Sequence, residues 1–152
     1  MEKQFDVIAK TRTNFLKLID DLTIEQLNKI PVGFNNNIAW NFGHIIISQQ
    51  VLCYSRAGFA AHIEQSLINK YQRGSKPESF IDNNEIELLK EYLFSLIHQL
   101  REDMTDDKFV GYKPITTTFG VDLTCIEDVI PYFAMHDGLH LGVAQTLKKL
   151  VQ

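Results

Sequence analysis

Apolar residues recur every three or four positions in four stretches of the chain. This spacing places them on one face of a helix, and it predicts helices over residues 2–21, from near Ile38, over about 20 residues after Asn84, and from Ile126 to the end. Four long helices with two long connections predict an all-α protein, a four-helix bundle with long crossover connections. The positions on the four faces are Phe5, Ile8, Arg12, Phe15, Ile19 and Leu22; Trp40, His44, Ile47, Val51 and Tyr54; Ile86, Leu89, Leu93, Leu96 and Leu100; and Ile126, Val129, Phe133, His136, His140, Val143, Leu147 and Leu150.

Polar residues mark the helix boundaries. Thr23 with Gln26, and Thr124 with Glu127, have the spacing of a capping box, and the first pair predicts a short helical turn that ends near Lys29. The end of the second helix is not defined, because a weaker pattern continues to Lys70. Residues 71–82 and 104–123 are rich in glycine, proline and hydroxyl side chains, which predicts long irregular connections.

Length and composition indicate a single domain over residues 1–152, because 152 residues with 45% hydrophobic content can form an ordinary core. Cys53 and Cys125 form no CxxC pair, which favours reduced thiols in a cytosolic protein. No signal peptide or membrane-spanning segment is recognised, so we expect a cytoplasmic location and no membrane partner. The net charge of -4 is scattered, without a Lys/Arg stripe, so we expect no nucleic-acid partner.

Three of the five histidines lie on apolar helix faces, namely His44, His136 and His140. His136 and His140 are four residues apart, so their rings can reach the same ion. Neighbouring imidazoles in an apolar core lack hydrogen-bond partners when neutral and repel each other when charged, and a divalent cation removes both problems. With His44, the set has the three protein ligands typical of a catalytic site with one open coordination position. The alternative is a polar core cluster in which the histidines bond to Tyr54, Asn41, Asp137 or backbone carbonyls.

Other residues near these helices have less specific interpretations. For Arg12 we expect a stem packed along the helices with its guanidinium in water, the alternative being an anion contact. Asp137 could orient a ligand ring, although on a helix it points about 100° away from His136. Gly43, Gly138 and Gly142 indicate either close helix packing or room for a ligand. Absence of Glu-x-x-His pairs and of Glu after the first histidine excludes ferritin-like di-iron proteins and zincins.

Three motifs point to a known family. They are NIAWNFGHI around His44, TTTFG ahead of the last helix, and HDGLHLG from His136 to Gly142. With them the chain resembles the DinB/YfiT-like metalloenzymes over nearly its whole length. The resemblance implies a DinB-like helical bundle, often homodimeric, with a divalent metal, zinc or nickel, on His44, His136 and His140. Several members of the family are thiol-dependent transferases that act on small electrophiles.

The leading hypothesis is therefore a metal-dependent enzyme for a small-molecule substrate. A thiolate at the open position, supplied by a low-molecular-weight thiol, would give S-transfer, and a water would give hydrolysis. The first alternative is a non-catalytic, stress-related bundle that binds metal or ligand through the same histidines. The second is a structural dimer without metal. The sequence identifies neither the substrate nor the catalytic residues.

Overall fold

A computed structural model describes residues 1–106 and 108–152, and this part of the protein is mostly helical. None of its helices combines the length and the apolar content that crossing a membrane requires. The α-helices are α1 (Glu2–Asp20), α2 (Ile24–Asn28), α3 (Ile38–Cys53), α4 (Gln65–Tyr71), α5 (Asn83–Asp103) and α6 (Ile126–Val151), with short 3-10 turns at Ser55–Ala57 and Met104–Asp106. An antiparallel hairpin joins β1 (Ile115–Thr116) to β2 (Asp122–Leu123), with Ile115 opposite Leu123.

The four long helices α1, α3, α5 and α6 pack directly against one another. Both α1 and α3 contact α5 and α6. Helix α3 is buried around almost its whole circumference from Ile38 to Ile47, as expected of a helix that is apolar on all sides. The sequence had indicated a single apolar face for this helix, whereas it is the central helix of the fold.

The buried side chains form two apolar clusters. The larger one surrounds α3 and contains Phe15, Ile46 and Leu93 from three different helices. The smaller one contains Tyr54, Leu123 and Phe133. Because Leu123 belongs to β2, this second cluster fixes the hairpin against the first half of α6.

Short elements lie between the long helices. Helix α4 lies largely where the sequence left the end of the second helix undefined, and its Leu67, Ile68 and Tyr71 are buried against the larger cluster. The connection between α5 and α6 includes the hairpin, in which the Thr117 amide donates to the Val121 carbonyl at 2.8 Å. Gly120 has a φ of +74°, which favours glycine in the tight turn.

The Arg12 guanidinium does not lie in water, and that prediction is wrong. Arg12 is fully buried; its Nε donates to Asp137 Oδ2 at 2.9 Å, and its Nη1 donates to the Leu93 carbonyl at 2.8 Å. A buried guanidinium requires such partners because its loss of hydration is otherwise costly. Arg12 therefore links α1 to α5 and α6 through the interior.

Candidate metal centre

The structure brings together the three histidines that the sequence indicates. His44 lies on α3, and His136 and His140 lie one turn apart on α6. The ring centroid of His44 lies 5.3 Å from the ring centroid of His136 and 4.7 Å from that of His140. One nitrogen from each ring lies within 4.8 Å of the other two. The three donors thus surround a common point where a metal ion can be held.

Hydrogen bonding determines which nitrogen of His44 carries the hydrogen and which carries the lone pair. Its Nδ1 lies 2.7 Å from the backbone carbonyl of Tyr71. A carbonyl oxygen can only accept, so Nδ1 carries the hydrogen and the lone pair is on Nε2. The Ser48 hydroxyl lies 3.2 Å from this Nε2, and the Trp40 indole stacks on the ring with centroids 4.5 Å apart. Nε2 of His44 therefore accepts from the Ser48 hydroxyl, a bond that a metal ion would replace, and the ring is held in one orientation.

Asn41 orients His140 in the same way. The Asn41 amide nitrogen donates to the Asn37 carbonyl at 2.8 Å, and this bond turns Oδ1 toward the site. His140 Nδ1 lies 2.8 Å from that oxygen. Because the amide oxygen accepts, Nδ1 of His140 is the donor and Nε2 is free for a metal.

Asp137 is the carboxylate closest to His136. Asp137 Oδ1 lies 3.7 Å from His136 Nδ1, and within the described residues neither atom has a hydrogen-bond partner, although both are buried. The other oxygen of Asp137 is bound to Arg12. Although Asp137 points away from His136 on a helical wheel, its buried carboxylate remains beside the ring. A modest rotation of the ring would complete a carboxylate–histidine pair with Nε2 as the third metal ligand.

Burial keeps two of the rings neutral near pH 7. Loss of hydration lowers the pKa of His44 to about 4, a shift that the hydrogen bond to Tyr71 partly opposes. Loss of hydration, together with the charges of His136 and His44, lowers the pKa of His140 to about 3. Neutral imidazole is the form that binds metal, so both rings are prepared for coordination without losing a proton.

The histidines line a cavity of about 390 Å³. Its walls come from α3, the residues that follow α4, the hairpin connection and α6. The lining residues are His44, Ser48, Val51, Leu52, Gln72, Arg73, Ile115, Thr117, Thr118, Phe119, Tyr132, His136, Leu139 and His140. A metal ion held by the three histidines would adjoin this cavity.

These residues fit a divalent transition metal. Zinc binds histidine nitrogen at roughly 2.0–2.1 Å, and three imidazoles with one open position form a familiar catalytic ligand set. Donors already within 4.8 Å of one another need only small ring movements to reach such bond lengths. Within the described residues, Nδ1 of His136 and Oδ1 of Asp137 are both buried without a hydrogen-bond partner. This also fits a metal site, in which binding of the ion would fix the orientation of the His136 ring.

Sequence reasoning missed Tyr71 and Ser48 as part of the site. Tyr71 was placed in a polar connection, and its carbonyl reaches His44 only because α4 packs on α3. Asn41 had been weighed as a partner, and its place three residues before His44 was the available signal. The remaining histidines lie elsewhere: His98 is exposed beside Glu102, and the ring of His62 packs edge-on against Tyr54.

Comparison with known proteins agrees with this arrangement. No curated protein matches the sequence. The sequence model of the DinB superfamily matches residues 8–144, a range that contains all three histidines, both residues of the Arg12–Asp137 pair and the cavity walls. The chain therefore belongs to the DinB superfamily.

Proposed function

We propose that this protein is a metal-dependent enzyme in which the Nε2 atoms of His44, His136 and His140 hold one divalent ion, zinc or nickel. The observation that carries the proposal is the fixed second nitrogen of the rings. Nδ1 of His44 and Nδ1 of His140 are engaged by acceptors, and Nδ1 of His136 faces a carboxylate. Such partners are characteristic of metal-ligating histidines. The four long helices would then form the four-helix bundle of the superfamily.

We further propose a thiol-dependent transfer to a small electrophile as the reaction. A divalent ion would lower the pKa of a bound thiol or water and so supply a nucleophile near neutral pH. Among the residues that the structure describes, the cavity lining contains no carboxylate and no lysine that could serve as a general base. A thiolate needs no such base to attack, whereas hydrolysis by water generally benefits from one. The lining therefore favours S-transfer, with hydrolysis as the alternative.

The chain's own residues would bind and orient the reactants. Trp40 covers one face of His44 and keeps that ring in place. The Ser48 hydroxyl, near Nε2 of His44, is positioned to donate to an atom bound in the cavity. Val51, Leu52 and Leu139 supply apolar walls for the substrate, and Phe119 from the hairpin connection stands at the mouth.

Metal analysis tests the metal site. Protein purified without an affinity tag and then reconstituted with zinc or nickel should hold one ion per chain. His44→Ala, His136→Ala and His140→Ala should each lose it, while His98→Ala, at an exposed histidine outside the site, should retain it. Trace metal in the native protein after reconstitution, or equal loading of all four variants, would contradict the proposal.

Turnover distinguishes the two reactions and the non-catalytic candidate. Metal-loaded protein should accelerate conjugation of small thiols to an electrophile such as chlorodinitrobenzene, and the His140→Ala variant should not. Acceleration of ester or amide hydrolysis alone would instead support the hydrolase. A loaded protein that is inactive with every thiol and ester tested would support the binding protein, which the absence of a general base in the cavity also favours.

A further inference from the structure

Within the described part of the chain, one side chain with a permanent charge lines the cavity beside the histidines. This residue is Arg73, and the cavity's other lining residues, apart from the histidines, have apolar, hydroxyl-bearing or amide side chains. The protein as a whole carries a net charge of -4. A permanent positive charge without a lining carboxylate therefore makes the cavity differ in sign from the average surface.

The position of Arg73 is set by the segment that also orients His44. Helix α4 ends at Tyr71, whose carbonyl binds His44, and Arg73 follows two residues later. The Ser75 hydroxyl lies 2.7 Å from the Lys70 carbonyl and 2.8 Å from the Gln72 carbonyl, and it accepts from Trp40 Nε1 at 3.0 Å. The turn that carries Arg73 is thus tied to the same tryptophan that stacks on His44.

Arg73 is exposed, like Lys76, and its guanidinium is free to bind a ligand. No described residue forms an ion pair or a hydrogen bond with it, although Arg12, Arg56 and Arg101 all have such partners. Arg73 and Tyr132 of α6 both line the cavity.

We propose that Arg73 is the anion-binding residue of the cavity and that the substrate or thiol cofactor carries a carboxylate, sulfonate or phosphate. This proposal rests on the proposed function, since it supposes that the other end of the ligand binds at the three-histidine site. The ligand would extend from the three-histidine site to Arg73, and its apolar middle would lie against Val51, Leu139 and Phe119. Arginine suits this task because its planar donors pair with two oxygens of an anion at once.

Matched thiols on the cobalt-loaded protein test the assignment. The thiolate-to-cobalt absorption band reports binding, and dissociation constants are compared for mercaptohexanoate against mercaptohexanamide, and for mercaptoethanesulfonate against mercaptoethanesulfonamide. Each pair changes charge with little change in shape. We expect the anionic member to bind about tenfold more tightly, as for a charge-assisted pair in a partly open site. The pair with the larger ratio identifies the reach and the type of anion.

Variants assign the preference to Arg73. Arg73→Gln should abolish the preference for the anion and leave the affinity of the neutral thiol unchanged, and Arg73→Lys should keep part of it. Lys76 is an exposed positive charge five residues beyond α4 that does not line this cavity, so the preference should survive in Lys76→Gln. Equal affinities within each pair in the native protein, or a preference that persists in Arg73→Gln, would overturn the assignment.

The same experiments distinguish a failure of the proposed metal site from a failure of the Arg73 assignment. Cobalt absorption bands without an anion preference would overturn the role of Arg73 alone. If no cobalt bands form, the proposed function fails, and NMR of the metal-free protein with hexanoate decides the anion site separately. If hexanoate shifts the Arg73 guanidinium signal and hexanamide does not, the anion site is supported. If hexanoate leaves that signal unchanged, the anion site is overturned.

Discussion

At the scale of single residues, the site depends on side chains that position the histidines as much as on the histidines themselves. Gly43 illustrates this. A Cβ atom at Gly43 would lie 2.5 Å from the Tyr71 ring, whereas a Cβ at Gly138 or Gly142 would meet nothing within 4 Å. For the three glycines within helices, the sequence indicated either close helix packing or room for a ligand. Of these three glycines, close packing explains Gly43 alone, because the Tyr71 ring lies against it. The sequence could not indicate this contact, which forms only when the chain folds.

Gly43→Ala should therefore displace Tyr71 and loosen the carbonyl that holds His44. We expect a loss of stability of about 1–3 kcal/mol, as for overpacking of a core, together with weaker metal binding. Gly138→Ala is the matched control, because it adds the same methyl group in open space and should stabilise the helix by roughly 0.5–1 kcal/mol. Urea denaturation and metal titration measure both effects; equal stability of the two variants would contradict the packing argument.

The low pKa values of two ligand histidines predict acid sensitivity of the metal-free protein. In the unfolded chain both residues bind protons near pH 6.5, whereas folding lowers the pKa of His44 to about 4 and that of His140 to about 3. The unfolded state thus binds more protons, and stability should fall as the pH decreases from about 6.5 to about 4.

Thermal unfolding of metal-free protein across that pH range measures this loss. His140→Gln removes one of the two groups, so its melting temperature should fall less steeply with acid. A native melting temperature that stays constant or rises over the range would show that the two rings are not held neutral.

At the scale of elements, local signals succeeded where a helix boundary or face depends on nearby residues. The Thr23–Gln26 capping box forms as predicted, and the third predicted helix is α5. The Thr124–Glu127 box is wrong, because Asp128 instead accepts from both the amide and the hydroxyl of Thr124. Helix α4 was missed, since seven residues carry too little periodicity to identify a helix.

Arg12 shows what sequence spacing cannot supply. Its place on the apolar face of α1 is visible, but its counter-charge, Asp137, lies 125 positions away on α6. Spacing along one helix does not indicate which residue of another helix it will meet. The same reason hid Tyr71 from the predicted site, whereas the His136–His140 pair was readable because both residues share one helix.

The Arg12–Asp137 pair predicts a strong single-variant effect and a rescued double variant. Asp137→Asn leaves a guanidinium buried without its counter-charge, so we expect a loss of about 3–5 kcal/mol in urea denaturation. Replacing both residues, as Arg12→Met with Asp137→Leu, removes the uncompensated charge and should restore most of the stability.

Metal affinity separates packing from positioning in this pair. If Asp137 orients His136, the stable double variant should still bind zinc about 10-fold or more weakly, in the range seen for the loss of carboxylate partners of metal ligands. Native zinc affinity in the double variant would show that Asp137 only stabilises the fold. A single variant as stable as the native protein would contradict the buried charge pair itself.

At the scale of the whole molecule, the motifs around the histidines and the mostly helical pattern were sufficient to indicate the DinB superfamily. The candidate site needs the complete fold, because α3 provides one histidine, α6 two, α4 an orienting carbonyl and the hairpin connection a cavity wall. The single domain, the homodimer and the cytoplasmic location remain predictions. The central claim is that three imidazoles from two helices share one metal ion.

X-ray absorption of the zinc-loaded protein tests that claim most directly, because imidazole rings give a characteristic scattering pattern. The account predicts three imidazole nitrogens and one further light atom at roughly 2.0–2.1 Å from zinc. A spectrum with a cysteine sulfur ligand, or with fewer than three imidazoles, would contradict it.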